Sequence, residues 1–151
     1  GDVYKRQGDD RLVRFDGTGW SDFGSPEWAG TSAAMTELAE ENEWVPDDFG
    51  RSQWGEPHVA PDGALWVPSR LGVLGRDPDL GGGQRNVCGH GIDGVARFDG
   101  ETWSRFLAGR CVEAMDIATD GSVWLLASKS DARFPLARVY VITREVVAAA
   151  E

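Results

Sequence analysis

RFDGTGWSDF at 14–23 returns as RFDGETWSRF at 97–106, and APDGALW at 60–66 returns as ATDGSVW at 118–124. Two different phrases recurring in alternating order define repeated structural units, and an internal repeat outranks other sequence signals for fold. Each phrase contains Asp-Gly, which tolerates the positive φ angles of tight hairpins. The dipeptide begins at Asp16, Asp62, Asp93, Asp99 and Asp120. Between these turns lie short segments rich in β-branched and aromatic residues, LVRF, ALWV, GVARF, TWSRF, SVWLLA and RVYVIT. Short strands with regular turns predict an all-β protein.

The order of phrases predicts a four-stranded antiparallel unit. Strand one ends before the first Asp-Gly (VEAMDIA, 112–118) and strand two follows it (SVWLLAS, 122–128). Strand three ends in Arg-Phe-Asp-Gly, and strand four carries Trp-Ser-x-Phe. On this scheme 11–23 is a remnant with strands three and four only, 54–106 is a full unit, and 111–143 is incomplete. The tail, 144–151, reads as a weak fourth strand or a frayed end.

The bulk properties narrow the functional classes. A chain of 151 residues with 41% hydrophobic content supports one ordinary domain. A net charge of −10 argues against nucleic acid, which requires clustered Lys and Arg. No apolar run reaches the roughly 20 residues that cross a bilayer. Residues 1–7, GDVYKRQ, resemble the in-frame translation of a transposon mosaic-end sequence used in sequencing libraries. They read as a non-native leader, set aside from fold reasoning, with the gene continuing upstream of residue 8.

The pairing of DG-x-x-W-hydrophobic with G-hydrophobic-x-R-F-D-G-x-x-W-x-x-F resembles the two-component regulator propeller repeat. That resemblance implies a partial β-propeller of about two and a half four-stranded antiparallel blades, with a short helical insertion and further blades upstream. Pro68 and Leu126 stand where the family usually has Gly. The resemblance further implies a sensing module of a larger signalling protein. APDGALW also resembles the streptogramin lyase repeat, which would make the chain an enzyme, but the Asn-x-Ile-Gly-Arg phrase of that family is missing. A purely structural scaffold is a third reading.

Trp20 and Trp103 are equivalent in the repeat, as are Trp66 and Trp124, so these four read as filling between blades. Trp28, Trp44 and Trp54 lie outside the repeated strands. The RFDG phrase recurs after 83 residues and DG-x-x-W after 58, which places an expansion at 24–53; a second lies at 70–93. Strand order puts both at the end of the sheets opposite the Asp-Gly turns at 62–63 and 99–100. Loops on a rigid scaffold concentrate function. The candidate ligand-binding residues are therefore Trp28, Trp44, Arg76, Arg85 and His90, facing an unknown ligand or protein partner.

The first insertion predicts a helix capped by Thr31 or Ser32, with Ala33, Ala34, Met35, Leu38 and Ala39 as its apolar stripe. Its acidic residues read either as a solvated face or as a lid that attracts a cationic ligand or partner. The Gly-rich second insertion lacks the Gly-Lys-Ser/Thr of a phosphate loop, and its Asp77 and Asp79 lack the partners of a Ca²⁺ loop. No cofactor or metal is expected.

Extending the Phe98–Trp103 pairing along its ladder puts position 111 opposite position 90, so Cys88 and Cys111 come within disulfide reach. A bridge would imply an extracytoplasmic location. The rival is a zinc site of Cys88, His90, Cys111 and His58, whose spacing is unlike structural zinc sites.

Overall fold

The computed structural model describes residues 3–7, 11–24, 45–46, 55–68, 72–77, 83–87, 94–129 and 137–150. Among them the chain is mostly strand, in antiparallel sheets, with one short helix. The central sheet has four strands in the order β5 (His58–Val59), β6 (Leu65–Pro68), β9 (Val95–Phe98) and β10 (Trp103–Phe106). This is the strand order predicted for the full unit. The register of the last hairpin, Trp103 opposite Phe98 and Phe106 opposite Val95, also agrees.

A three-stranded sheet precedes it in the chain: β1 (Val3–Gln7), β2 (Arg11–Phe15) and β3 (Trp20–Gly24). Val3–Gln7, set aside as a leader, pairs with β2 along all five of its residues. Ladder bonds are made by main-chain groups, so any extended segment without Pro can fill a free strand edge.

The third sheet contains β11 (Arg110–Ile117), β12 (Val123–Lys129) and β13 (Arg138–Ile142). A bulge between Val112 and Ala114 resets its register, so Cys111 and Val112 are both buried although they are consecutive. The tail, read as a weak fourth strand or a frayed end, is instead a helix, α1 (Arg144–Ala150). Thr143 starts it, its Oγ1 accepting from Val146 N–H at 3.4 Å and its carbonyl from Val147 N–H at 3.1 Å. Glu145 in the first turn and the alanine run favour helix over strand. Val147 packs against the core and fixes which face turns inward.

The repeat is carried down to individual hydrogen bonds. Ala60 N–H donates to Ala64 and Gly63 N–H to Ala60; Ala118 donates to Ser122 and Gly121 to Ala118 in the same pattern. Gly63 and Gly121 have φ of 84° and 86°, a region in which a Cβ is strained. The aromatic pairs match equally well. Phe15 and Trp20 lie 5.0 Å apart at 37°, Phe98 and Trp103 4.9 Å apart at 37°.

These shared geometries let the sheets pack in a common way. One face of the central sheet supplies Leu65 and Phe98 to a cluster with Leu12, Phe23 and Trp103. Phe23 and Phe98 rings are 5.0 Å apart, and Trp103 Nε1 donates to the Phe23 carbonyl at 3.4 Å. The other face supplies Trp66 and Val95 to a larger cluster with Val112, Val123, Leu125, Ala127 and Ile142 of the third sheet. The central sheet is thus covered on both sides, and the three sheets do not close on one another.

Tryptophan placement corrects the expectation that all four repeat positions fill gaps between sheets. Trp66 is 1% exposed and Trp103 is partly buried, but Trp20 is 58% and Trp124 49% exposed. The exposed pair belongs to the outer sheets.

Candidate functional site

Two regions present chemistry that the packing alone does not require. The first is built by the insertions. β4 (Val45–Pro46) comes from the first insertion, and β7 (Gly72–Asp77) and β8 (Gly83–Val87) from the second; together they form a separate sheet in the order β4-β7-β8. Val45 pairs with Arg76 and Pro46 with Gly75, so the two expansions are joined by main-chain pairing. Arg76 also pairs with Gln84, and Arg85 pairs with Gly75, which brings these two candidates to adjacent rungs of one ladder. Trp28, Trp44, His90 and Cys88 lie outside the described residues, as does the predicted helix at 31–39.

Cys111 is disulfide-bonded and 2% exposed on β11. The route there differs from the extrapolated ladder. The β9–β10 pairing stops at Phe106, Leu107 turns with φ 53°, and Arg110 begins the next sheet, where Cys111 faces Ser128. A disulfide sulfur is not a thiolate, so Cys111 is unavailable to the rival zinc arrangement. Among the described residues no three His, Cys, Asp or Glu side chains come together as a metal site. His58 sits half-buried on β5 opposite Trp66.

The second region was missed. At the Asp-Gly end of the central and third sheets, a cavity of about 340 Å³ opens between the turns at 60–64 and 118–122 and the helix α1. Asp62, Arg97, Asp120 and Arg144 line it, with Trp66 and Val147 as apolar wall. The Arg97 guanidinium, 7% exposed, holds the Asp62 carboxylate at 3.1 Å. The pair works because Asp62 is half in water while its second oxygen accepts from Ala64 N–H at 3.0 Å. Burial pushes the Asp62 carboxyl up, but Ala64 and Arg97 together outweigh it and hold the group below the usual range.

Asp120 is the repeat equivalent of Asp62 and is also held low, first by the Ser122 hydroxyl and N–H and, more weakly, by the Arg144 charge. The cavity thus joins fixed charges of both signs, suited to orienting a polar guest. Sequence reading assigned these turns to scaffold. Only the equivalence of Asp62 and Asp120 was visible beforehand; Arg144 enters the site through a helix that the sequence pattern did not announce.

Comparison with family models, curated proteins and solved structures gave no match.

Proposed function

We propose that the chain is a non-enzymatic binding module, a segment of a β-propeller of the two-component regulator type within a larger extracytoplasmic signalling protein, and that it recognises its ligand or partner on the insertion sheet. The observation that carries this reading is the union of both insertions in β4-β7-β8. The stacked sheets repeat one packing scheme, and strands from the two long sequence insertions pair with each other. Repetition of scaffold with variation gathered in one place is how a rigid framework presents a binding surface. The propeller architecture is supported by the meander order of the central sheet and by its burial between two neighbours. The buried, bonded Cys111 supports an oxidising compartment.

The test is a thermal-shift panel of oligosaccharides, amino acids and short peptides, run on the native chain and on an Arg76→Ala/Arg85→Ala variant. The reading expects at least one class to raise the native Tm and to lose that effect in the variant. If every stabilising compound acts equally on both proteins, the insertion sheet is not the recognition surface.

A further inference from the structure

The two equivalent turns beside α1 differ in how their aspartates are neutralised. On the central sheet Arg97 stands opposite Trp66 in the ladder, and its guanidinium holds Asp62 at 3.1 Å. On the third sheet the residue opposite Trp124 is Val141, so Asp120 has no arginine at the matching place in its own sheet. The Ser122 N–H and hydroxyl both donate to Asp120 Oδ1, which leaves Oδ2 open to a further donor.

The cation that faces Asp120 comes from α1 instead. Arg144 lies close enough for its charge to help hold the Asp120 carboxyl low, yet among the described residues the two make no ion pair. Its stem lies across Gly121, where a Cβ would meet Arg144 Cδ at 3.3 Å and Cγ at 3.4 Å. The arginine is therefore laid over the turn beside the carboxylate without closing on it. Both groups open onto the cavity of about 340 Å³ between the turns and α1. Asp62 and Arg97 neutralise each other there, so the charges left for a guest are one carboxylate and one guanidinium, held apart. Trp66, Val147 and Ala148 add apolar wall. The volume is at the small end for ligand pockets, which limits the guest to about the size of one amino acid.

We propose that this cavity binds a free α-amino acid with an apolar side chain, its carboxylate on Arg144 and its ammonium on Asp120. A zwitterion supplies both partners that the turn and the helix lack. The guanidinium fork offers a carboxylate two parallel N–H donors, and Asp120 Oδ2 accepts from the ammonium. A guest of a single sign would leave a like charge facing it, which costs affinity. None of the insertion-sheet strands contributes to this cavity, so the site is distinct from the recognition surface proposed above.

Isothermal titration calorimetry of the full chain with leucine is the test, with N-acetyl-leucine and leucine methyl ester as controls that each lack one charge. The expected result is saturable leucine binding, weakened about tenfold or more in either analogue, since each forfeits a charge-assisted hydrogen bond. Arg144→Gln and Asp120→Asn, the latter keeping an acceptor for Ser122, should each weaken leucine binding by a similar factor. The Arg76→Ala/Arg85→Ala variant should bind leucine as the native chain does. Absence of saturable leucine binding overturns the proposal. N-acetyl-leucine binding as tightly as leucine also overturns it, because the site would then take anions alone. So does leucine binding lost only in the Arg76→Ala/Arg85→Ala variant, which would move the guest to the insertion sheet. The analogue comparison uses the native chain, so it decides the matter even if a substitution unfolds the protein by circular dichroism.

Discussion

Replacing Trp66 and Trp124 by alanine compares one repeat position with and without a neighbouring sheet. A tryptophan buries about 200 Å², and at about 25 cal/mol per Å² full burial is worth about 5 kcal/mol. Trp66 is 1% exposed and its ring lies 5.2 Å from Phe106, within the cluster that joins two sheets. Alanine keeps part of that area but leaves a cavity, which places the truncation at the upper end of the usual cost of about 3–5 kcal/mol. Trp124 has half its surface in water, so the same area argument gives about half the cost and no enclosed cavity. Urea denaturation followed by far-ultraviolet circular dichroism reads both. With m near 2 kcal/mol/M, the two midpoints should separate by about 1 M, Trp66→Ala being the lower. The comparison is made where the chain sediments as a monomer. Midpoints that coincide would refute the packing scheme, since they would mean Trp66 has no neighbouring sheet to lose.

Gly94 adopts φ 82°, and a Cβ there would collide with the carbonyls of Phe106 and Leu107, whereas Gly17, at φ 99°, has open space around it. Gly94→Ala should therefore cost about 2–4 kcal/mol and Gly17→Ala only about 1–2, and equal shifts in denaturation midpoint would disprove the close approach. The Asp16 carboxyl is held down to about 2 by the Thr18 hydroxyl, then by the N–H groups of Thr18 and Gly19, and Asp99 is lowered chiefly by Thr102. Folded values below the unfolded ones mean that this stabilisation is fully present above about pH 4 and is lost as pH falls toward 2. An Asp16→Asn/Asp99→Asn variant should show a shallower acid loss of denaturation midpoint; an unchanged slope rejects the assignment. Asp62→Ala should cost about 1–2 kcal/mol by withdrawing a carboxylate from buried Arg97, a figure kept low because Asp62 is half exposed, and a neutral result would remove the pair from the account. Non-reducing mass spectrometry should find no free thiol, and reduction should lower stability by about 3 kcal/mol; two titratable thiols would contradict the bonded state of Cys111.

The strand order of the central sheet was legible because its signals are local and doubled. Asp-Gly sets each turn, and the β-branched and aromatic residues around Trp66 and Phe98 mark each strand. The face of each strand that is covered was not legible, since Trp20 and Trp103 read identically and differ only in having a neighbour. The tail was misread because VYVITREVVAAA carries β-branched residues through Val147, while the decisive event is the cap at Thr143. The junction of the two insertions was also hidden. Val45 and Arg76 have no pattern in common, and their pairing is a product of the fold that brings them side by side. The cavity beside Asp62 and Asp120 depends on that same tail helix, so one misread segment concealed one site.

The pairing of β4 with β7 has a bearing on the order of events in folding. Pro46 and Gly75 are partners across a stretch that contains the whole β5–β6 hairpin. Closing that span before the hairpin forms would restrict a long flexible loop for two rungs of ladder; afterwards the loop is already short. The hairpin, a matter of microseconds, comes first, and β4 pairs with β7 afterwards. A pairing of two rungs that closes so long a span opens at low cost, so β4 can part from β7 and exchange its amide protons while Trp66 and its neighbours stay packed.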